Sequence, residues 1–334
     1  MNIRLFTYEL TLRQTLQLAH SSRATTPAAY LQLEQDRTIG WGEVTFIPYR
    51  TERLEHLKQI AKSLSPVQEW SLGYLADYLQ KLRATFPDFP ASVAAVDMAL
   101  HQMLAFKQDK TIAALYNLMP DTKPSSFTIG ICSKEEMKQL VAQAPQAKYF
   151  KLKVSEQSMA KMIGDFMSVC LKPFTVDANQ GFADRSKALD WCYRLNGLGV
   201  AYFEQPFAAA DWEAHQWLKE RSPVPIIADE SFQTVADLNQ VKRAFHGVNI
   251  KLGKCGGLAP AYQSLRQARE AGLKTLLGCM SESSLGMGAA QNLGTLADWV
   301  DLDGAWLNTN DPFTEKDLNQ PLPTPPAGLA PVNL

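Results

Sequence analysis

Three successive apolar runs each end in an acid: "PFTVDA" at Asp177, "GVAYFE" at Glu204 and "VPIIAD" at Asp229. The runs on either side carry lysine instead. "KYFKLKV" brings Lys151 and Lys153, and "GVNIKL" brings Lys251. One acid at a strand end is ordinary, because Asp favours the N-cap of the helix that follows. That reading suits Asp177 or Asp229 alone, suits Glu204 poorly and leaves the lysines unexplained. Three carboxylates without histidine make a hard oxygen site, fit for Mg²⁺ with positions open to water or substrate. Lysines on opposite sides of such a site suggest a two-base proton transfer. One removes the proton α to a bound carboxylate and the cation stabilises the enediolate that develops. The other returns a proton on the opposite face and inverts the centre. A lysine that serves as a base near neutrality needs a depressed pKa, which burial or a neighbouring cation provides. Lys151, two residues from Lys153 on the same strand face, is a source of that positive field.

Eight short apolar runs recur through the second part of the chain: "SFTIGI", "KYFKLKV", "PFTVDA", "GVAYFE", "VPIIAD", "GVNIKL", "LKTLLGC" and "DWVDLD". Helical segments separate them. One opens on "SKEE", where Ser133 and Glu136 fit a capping box. This alternation predicts a (β/α) barrel. A doubly wound open sheet is the competing fold, but no Gly-rich phosphate loop follows the first strand. In a ring of eight, strands three to five are adjacent and their acids converge. Strands two and six face each other across the axis, so Lys153 and Lys251 flank whatever the acids hold.

Residues 1–120 read differently. Strands and turns come first, with "YLQLEQDRTIGWGEV" as a hairpin turning at Glu34 to Arg37. Helices follow over 52–118, the longest in "ASVAAVDMALHQMLAFKQ". This is an α+β domain. The turn-rich "PDTKPSS" links it to a barrel over 121–307. The Pro-rich tail, about 308–334, is expected to pack back on the first domain. The chain of 334 residues is 46% hydrophobic and 20% charged with formal net charge −1. That balance favours neither nucleic acid nor an anionic membrane as partner. Five scattered cysteines without a C-x-x-C pair suggest neither a disulfide framework nor a zinc ribbon. With no signal-peptide pattern at "MNIRLFTYEL" and no long apolar run, the expected location is the cytoplasm.

The series "KLK", "DANQ", "FEQP", "ADES" and "NIKLGKCGG" resembles the enolase superfamily in its muconate lactonizing subgroup. "GWGEV" and "VAAVDMALHQMLAFKQ" are similar to that family's capping domain, so the resemblance covers nearly the whole chain. It implies a (β/α)7β TIM-like barrel with an N-terminal α+β cap. It also implies that Asp177, Glu204 and Asp229 ligate Mg²⁺ and that Lys153 and Lys251 are the acid/base pair. By the same resemblance, Lys151 neighbours the substrate carboxylate and Asn179 and Glu230 orient these groups from behind. The family commonly forms dimers or larger rings.

The subgroup runs several reactions on one scaffold. "DLD" in the eighth run, Asp301 and Asp303, is similar to the D-x-D of dipeptide epimerases, where paired acids hold the substrate's free α-ammonium. Alternation along a strand would put the two carboxylates on one face, and two carboxylates suit an ammonium. "GCMSESSLG" resembles the epimerases' loop after the seventh strand, so Ser281, Glu282 and Ser283 are expected at the mouth. Arg23, in the cap loop "AHSSRATTP", is similar in position to an arginine of Ala-Glu epimerases, which implies that it can pair with a glutamate side chain. Thr128, near the end of the first strand, is a further contact candidate. The expected substrate is therefore a small dipeptide, L-Ala-D/L-Glu, as in murein peptide recycling. N-succinyl amino acid racemase or o-succinylbenzoate synthase is the rival within the superfamily. A metal-dependent hydrolase would call for histidine ligands, yet the five histidines form no H-x-H and end none of the eight runs. A non-enzymatic binding protein would have no reason to keep both lysines and all three acids.

Overall fold

The computed structural model describes residues 1–48, 50–120, 123–314 and 322–334. The chain opens with three antiparallel strands, β1 (Asn2–Gln17), β2 (Ser22–Gln35) and β3 (Thr38–Thr45). The β2–β3 hairpin turns on Asp36 and Arg37, both left-handed at φ 53 and 62. Two residues with positive φ are what a tight hairpin turn of matching twist requires. The turn is therefore shorter than the expected Glu34–Arg37, because Glu34 and Gln35 still pair with β3. Four helices follow: α1 (Leu54–Ser63), α2 (Leu72–Thr85), α3 (Pro90–Lys107) and α4 (Ile112–Leu115).

The helix α3 begins on a proline and is buried on nearly every side from Ala91 to Ala105. A helix apolar all round belongs in an interior. The motif "GWGEV" explains how β3 lies flush on it. A β-carbon on Gly42 would sit 1.7 Å from the Ala95 carbonyl oxygen, and one on Gly40 would sit 2.1 Å from that of Ala99. The alternate residues face away. Trp41 packs on Phe6 and Phe313, and Glu43 reaches toward the barrel.

The barrel strands are β4 (Phe127–Ile129), β5 (Phe150–Lys153), β6 (Phe174–Asp177), β7 (Phe203–Glu204), β8 (Ile226–Ala228), β9 (Gly247–Ile250), β10 (Lys274–Gly278) and β11 (Trp299–Asp301). They are hydrogen-bonded in sequence order and all pair in parallel. A parallel bridge between Ser125 and Val300 joins the first strand to the last. Closure in chain order, without a reversal, distinguishes this sheet from a doubly wound one. The intervening helices are α5 (Lys134–Gln143), α6 (Met159–Val169), α7 (Arg185–Gly197), α8 (Trp212–Lys219), α9 (Leu238–Ala244), the short α10 (Leu252–Cys255), α11 (Leu258–Glu270), α12 (Ser284–Gln291) and α13 (Gly304–Leu307). Ser133 and Glu136 form the expected capping box on α5.

The last strand, β12 (Ala330–Val332), returns to pair antiparallel with β1, so the tail does pack on the first sheet. Residues 121–122 of the expected linker and 315–321 of the tail lie outside the described residues. Among the contacts that join the N-terminal sheet and helices to the strand ends, the Asp97 carboxylate accepts the Leu258 N–H at 2.8 Å, Ser283 donates to Glu43, and the Ile131 N–H donates to the Gln17 carbonyl at 2.9 Å. Replacing Gly42 by Ala forces β3 off α3 and is expected to lower stability by about 3 kcal/mol, read as a fall in the urea midpoint.

Candidate active site

Asp177 ends β6, Glu204 ends β7 and Asp229 directly follows β8. Register places Lys153 beside Asp177 and Asp177 beside Glu204, one layer across three neighbouring strands. All three acids are buried, and one oxygen from each lies within 4.8 Å of the others. The Lys153 ammonium donates to Asp177 Oδ2 at 2.6 Å. Lys251 donates to Asp229 Oδ2 at 2.8 Å. The two lysines thus grip the acid cluster from strands two and six of the barrel. Lys148, at the start of the same strand run, is exposed.

Lys151 is 1% exposed and lies 2.7 Å from Glu204, 2.7 Å from Asp301 and 3.2 Å from Asp177. It is a counter-ion shared by two sets of acids. Asp301 also accepts from the Ser126 hydroxyl. Asp303 lies beyond the strand, at the N-cap of α13, so strand alternation is not what aligns it with Asp301. The Thr128 N–H, which donates to Asp303 Oδ2 at 2.5 Å, holds it in place. Asp301, Asp303, Thr128, Lys151, Lys153 and Lys251 line one cavity of about 60 Å³, together with Arg23 and Ser281. Arg23 donates to the Ser281 hydroxyl. Asn179 donates to both Asp177 and Glu230 at 3.4 Å and so links Glu230 to the acid cluster.

Glu282 and Ser283 turn elsewhere. Ser283 gives its N–H and hydroxyl to Glu43 of the cap at 2.8 and 2.7 Å. Burial lifts the Glu282 carboxyl to about 7. Burial, with the Glu282 charge beside it, lifts Glu43 to about 8. A second cavity, of about 340 Å³, meets the first at Asp229, Lys251 and Met280 and is walled by Arg50, Asp88, Glu230 and Gln233.

The family model for the enolase C-terminal domain-like fold matches residues 133–331. The chain belongs to the enolase superfamily. It is 34% identical, over 94% of its length and 82% of the relative's, to an L-Ala-D/L-Glu epimerase of Bacteroides thetaiotaomicron. Its structure aligns with a dipeptide epimerase from Methylococcus capsulatus complexed with Mg and L-Arg-D-Lys, at TM-score 0.82 and 26% identity, covering 93% of this chain and 92% of that one. It also aligns with an N-succinyl Arg/Lys racemase from Bacillus cereus, at TM-score 0.85 and 25% identity, covering 98% and 94%. These superfamily relatives span the dipeptide and N-succinyl branches of the sequence reading.

Two buried groups of this superfamily member escaped the sequence reading. Lys254 lies in α10, three residues after Lys251, and donates to Asp229 Oδ1, to the Asp229 carbonyl and to the Asn249 carbonyl at 2.7 to 2.8 Å. Asn249 donates to Glu204 Oε1 at 2.8 Å. The spacing K-x-x-K was the available signal for Lys254, since one helical turn returns the second side chain to the same side.

The electrostatics fit a dication. Burial opposes ionisation of Asp229, yet Lys251 and Lys254 hold its carboxyl well below the usual range. For Asp177, too, burial raises the carboxyl, but Lys153 and Lys151 outweigh it and lower it. Glu204 has Lys151 as its neighbouring cation, shared with Asp177 and Asp301. Burial and the Asp177 charge lift Glu204 to about 7. Burial and the charges of Asp229 and Asp177 lift Glu230 likewise to about 7. Buried oxygens of Glu230 and Asn179 also lack a hydrogen-bond donor. Asp177, Glu204 and Asp229 would hold Mg²⁺, with all-oxygen donors of the required kind.

To ligate Mg²⁺, Glu204 would have to release its proton. Mg²⁺ affinity should therefore fall about tenfold per pH unit below about 7 and level off above it, as measured by calorimetry. Lys254→Met frees Asp229 to swing and is expected to weaken Mg²⁺ binding by about tenfold or more in the same titration.

Proposed function

We propose that the protein is an Mg²⁺-dependent isomerase that inverts the α-carbon of the C-terminal residue of a dipeptide, L-Ala-D/L-Glu above others. One observation carries the reading: a single cavity presents Lys153, Lys251, Asp301, Asp303 and Arg23 together. The likeness to an L-Ala-D/L-Glu epimerase over 94% of the chain supports it. Residues 1–120 with the tail 308–334 would act as the cap, and 121–307 as the barrel that carries the chemistry.

When bound at the three acids, Mg²⁺ would polarise the substrate's C-terminal carboxylate and so acidify its α-proton. Lys153 removes that proton from one face. Lys251, as the ammonium, delivers a proton to the other face, and the reverse reaction exchanges the two roles. Lys151 stays charged throughout. Burial would depress its ammonium, but Asp301, Glu204 and Asp177 outweigh burial and hold it well above the usual value.

At the far end of the substrate, burial and the Asp301 charge raise Asp303 to about 6. An α-ammonium placed there would favour its ionised form and pair with it. An N-succinyl group would bring a carboxylate to the same acids and be repelled. The Arg23 guanidinium is suited to a carboxylate side chain on the C-terminal residue, which it can meet with two parallel hydrogen bonds. A substrate of this kind is a murein fragment, and all five cysteines are free thiols, which suits a reducing cytoplasm. Among the described residues no helix is long and apolar enough to cross a membrane.

Proton NMR in D₂O tests this directly. With Mg²⁺ present, the glutamate α-proton of L-Ala-L-Glu should exchange while the alanine α-proton persists, and EDTA should stop the exchange. Exchange confined to N-succinyl amino acids would reject the dipeptide reading.

A further inference from the structure

The two lysines of the site are not held alike. Lys153 lies inside β5, in register with Asp177 of β6. The ladder of β9 ends at Ile250, one residue short of Lys251. Lys251 is instead the N-cap of α10, a helix of four residues. A single helical turn has no stability of its own in water, so its neighbours must fix it. The closing glycine pair of "NIKLGKCGG" shows how. Gly256 ends α10 in the left-handed region at φ 91, and Gly257 follows at φ 123. The N–H groups of both donate to the Leu252 carbonyl at 3.0 Å. This turn wraps around the side chain of Asp97, in the middle of α3. A β-carbon on Gly257 would stand 2.2 Å from Asp97 Cγ. Just past the turn, the Leu258 N–H donates to Asp97 Oδ1 at 2.8 Å.

Asp97 is itself immobilised. It is fully buried in a helix that is otherwise largely apolar. His101 Nδ1 lies 3.0 Å from its Oδ1 and 2.9 Å from its carbonyl oxygen, and the Tyr116 hydroxyl lies 2.7 Å from the other nitrogen of that ring. Arg83 of α2 approaches Oδ2 at 3.6 Å. Aspartate is a poor residue for a helix interior and a costly one to bury, so α3 gains nothing from it. The turn that it holds accounts for it. We infer that Asp97 is a positioning residue for Lys251 and has no such hold on Lys153. The inference rests on the two-base reading. The route is short. Asp97 fixes the Gly256–Gly257 turn, the turn closes α10, and α10 sets the backbone from which Lys251 projects. The strand ladder supports Lys153 independently. Loosening Asp97 therefore disturbs proton transfer on one face of the substrate and spares the other. Lys254 shares the same turn and grips Asp229, so the comparison is made at saturating Mg²⁺.

The test reads α-proton exchange in D₂O separately for L-Ala-L-Glu and L-Ala-D-Glu. The isomer that still exchanges in Lys251→Ala is the one that Lys153 deprotonates. In Asp97→Ala, exchange of that isomer should fall by less than about threefold, while exchange of the other isomer and epimerisation in both directions fall about a hundredfold. Unfolded protein contributes to none of these rates, so the ratio between the isomers is independent of how much of the variant folds. Leu258→Pro removes the same hydrogen bond from the other partner, at the first position of α11, where proline is tolerated, and should give the same asymmetry. Exchange of both isomers falling in proportion, or unchanged epimerisation, would overturn the inference while leaving the two-base reading intact. If Lys153→Ala and Lys251→Ala exchange the same isomer, both are overturned.

Discussion

The structure depends on burying more acid than it can neutralise. Six carboxyls, those of Asp177, Glu204, Asp229, Glu230, Asp301 and Asp303, crowd the strand ends with four lysines among them. Unpaired buried charge is costly, so every lysine sits against one or more of these acids. Lys151 ties the triad to Asp301, and Lys254 pins Asp229 from below. The deficit falls on Glu204, Glu230 and Asp303, whose carboxyls are all raised. A divalent cation at the triad and an ammonium at Asp303 would supply the missing positive charge at those two places. Affinity for both is then a property of the folded charge balance as well as of the ligand atoms.

Residues of the N-terminal region join this arrangement through a few long-range contacts. Glu43 takes the N-cap serine of α12 and the Gly286 N–H, which orients the loop that carries Ser281. Arg23, on β2 near the strand's start, reaches that same Ser281. β1 loses its register with β2 between Thr11 and Leu16. That irregular stretch grips the segment after β11, at Thr309 and Asn310, and so couples the N-terminal sheet to Asp303. The alternation of "GWGEV" serves both sides of β3. Its glycines admit α3, and its glutamate reaches across to the barrel.

The sequence made the barrel and its acid layer legible because parallel strands are short apolar runs, and their C-terminal residues all arrive at one mouth. Lys153 and Lys251 followed from the same geometry. Side chains in loops after the strands obey no such periodicity. Glu282 and Ser283 were expected at the mouth, yet their neighbourhood is set by Glu43, some 240 residues earlier in the chain. Asp303 reaches the expected cavity for a different reason, a backbone N–H on β4 in place of strand alternation. Spacing alone gives Lys151 a field-setting place beside substrate; its bond to Asp301 leaves no local pattern, because it joins strands brought together only by barrel closure. The break in β1 was invisible for the same kind of reason. Its partners lie near residue 309, and no local pattern in "TLRQTL" marks it.

The most direct test of the central claim follows the α-proton in single-lysine variants. Lys153→Ala and Lys251→Ala should each abolish epimerisation, by about a thousandfold or more. Each should still exchange the glutamate α-proton in D₂O from one isomer only, L-Ala-L-Glu for one variant and L-Ala-D-Glu for the other. Epimerisation that survives in either variant, or exchange of the same isomer by both, would contradict a mechanism with one lysine on each face.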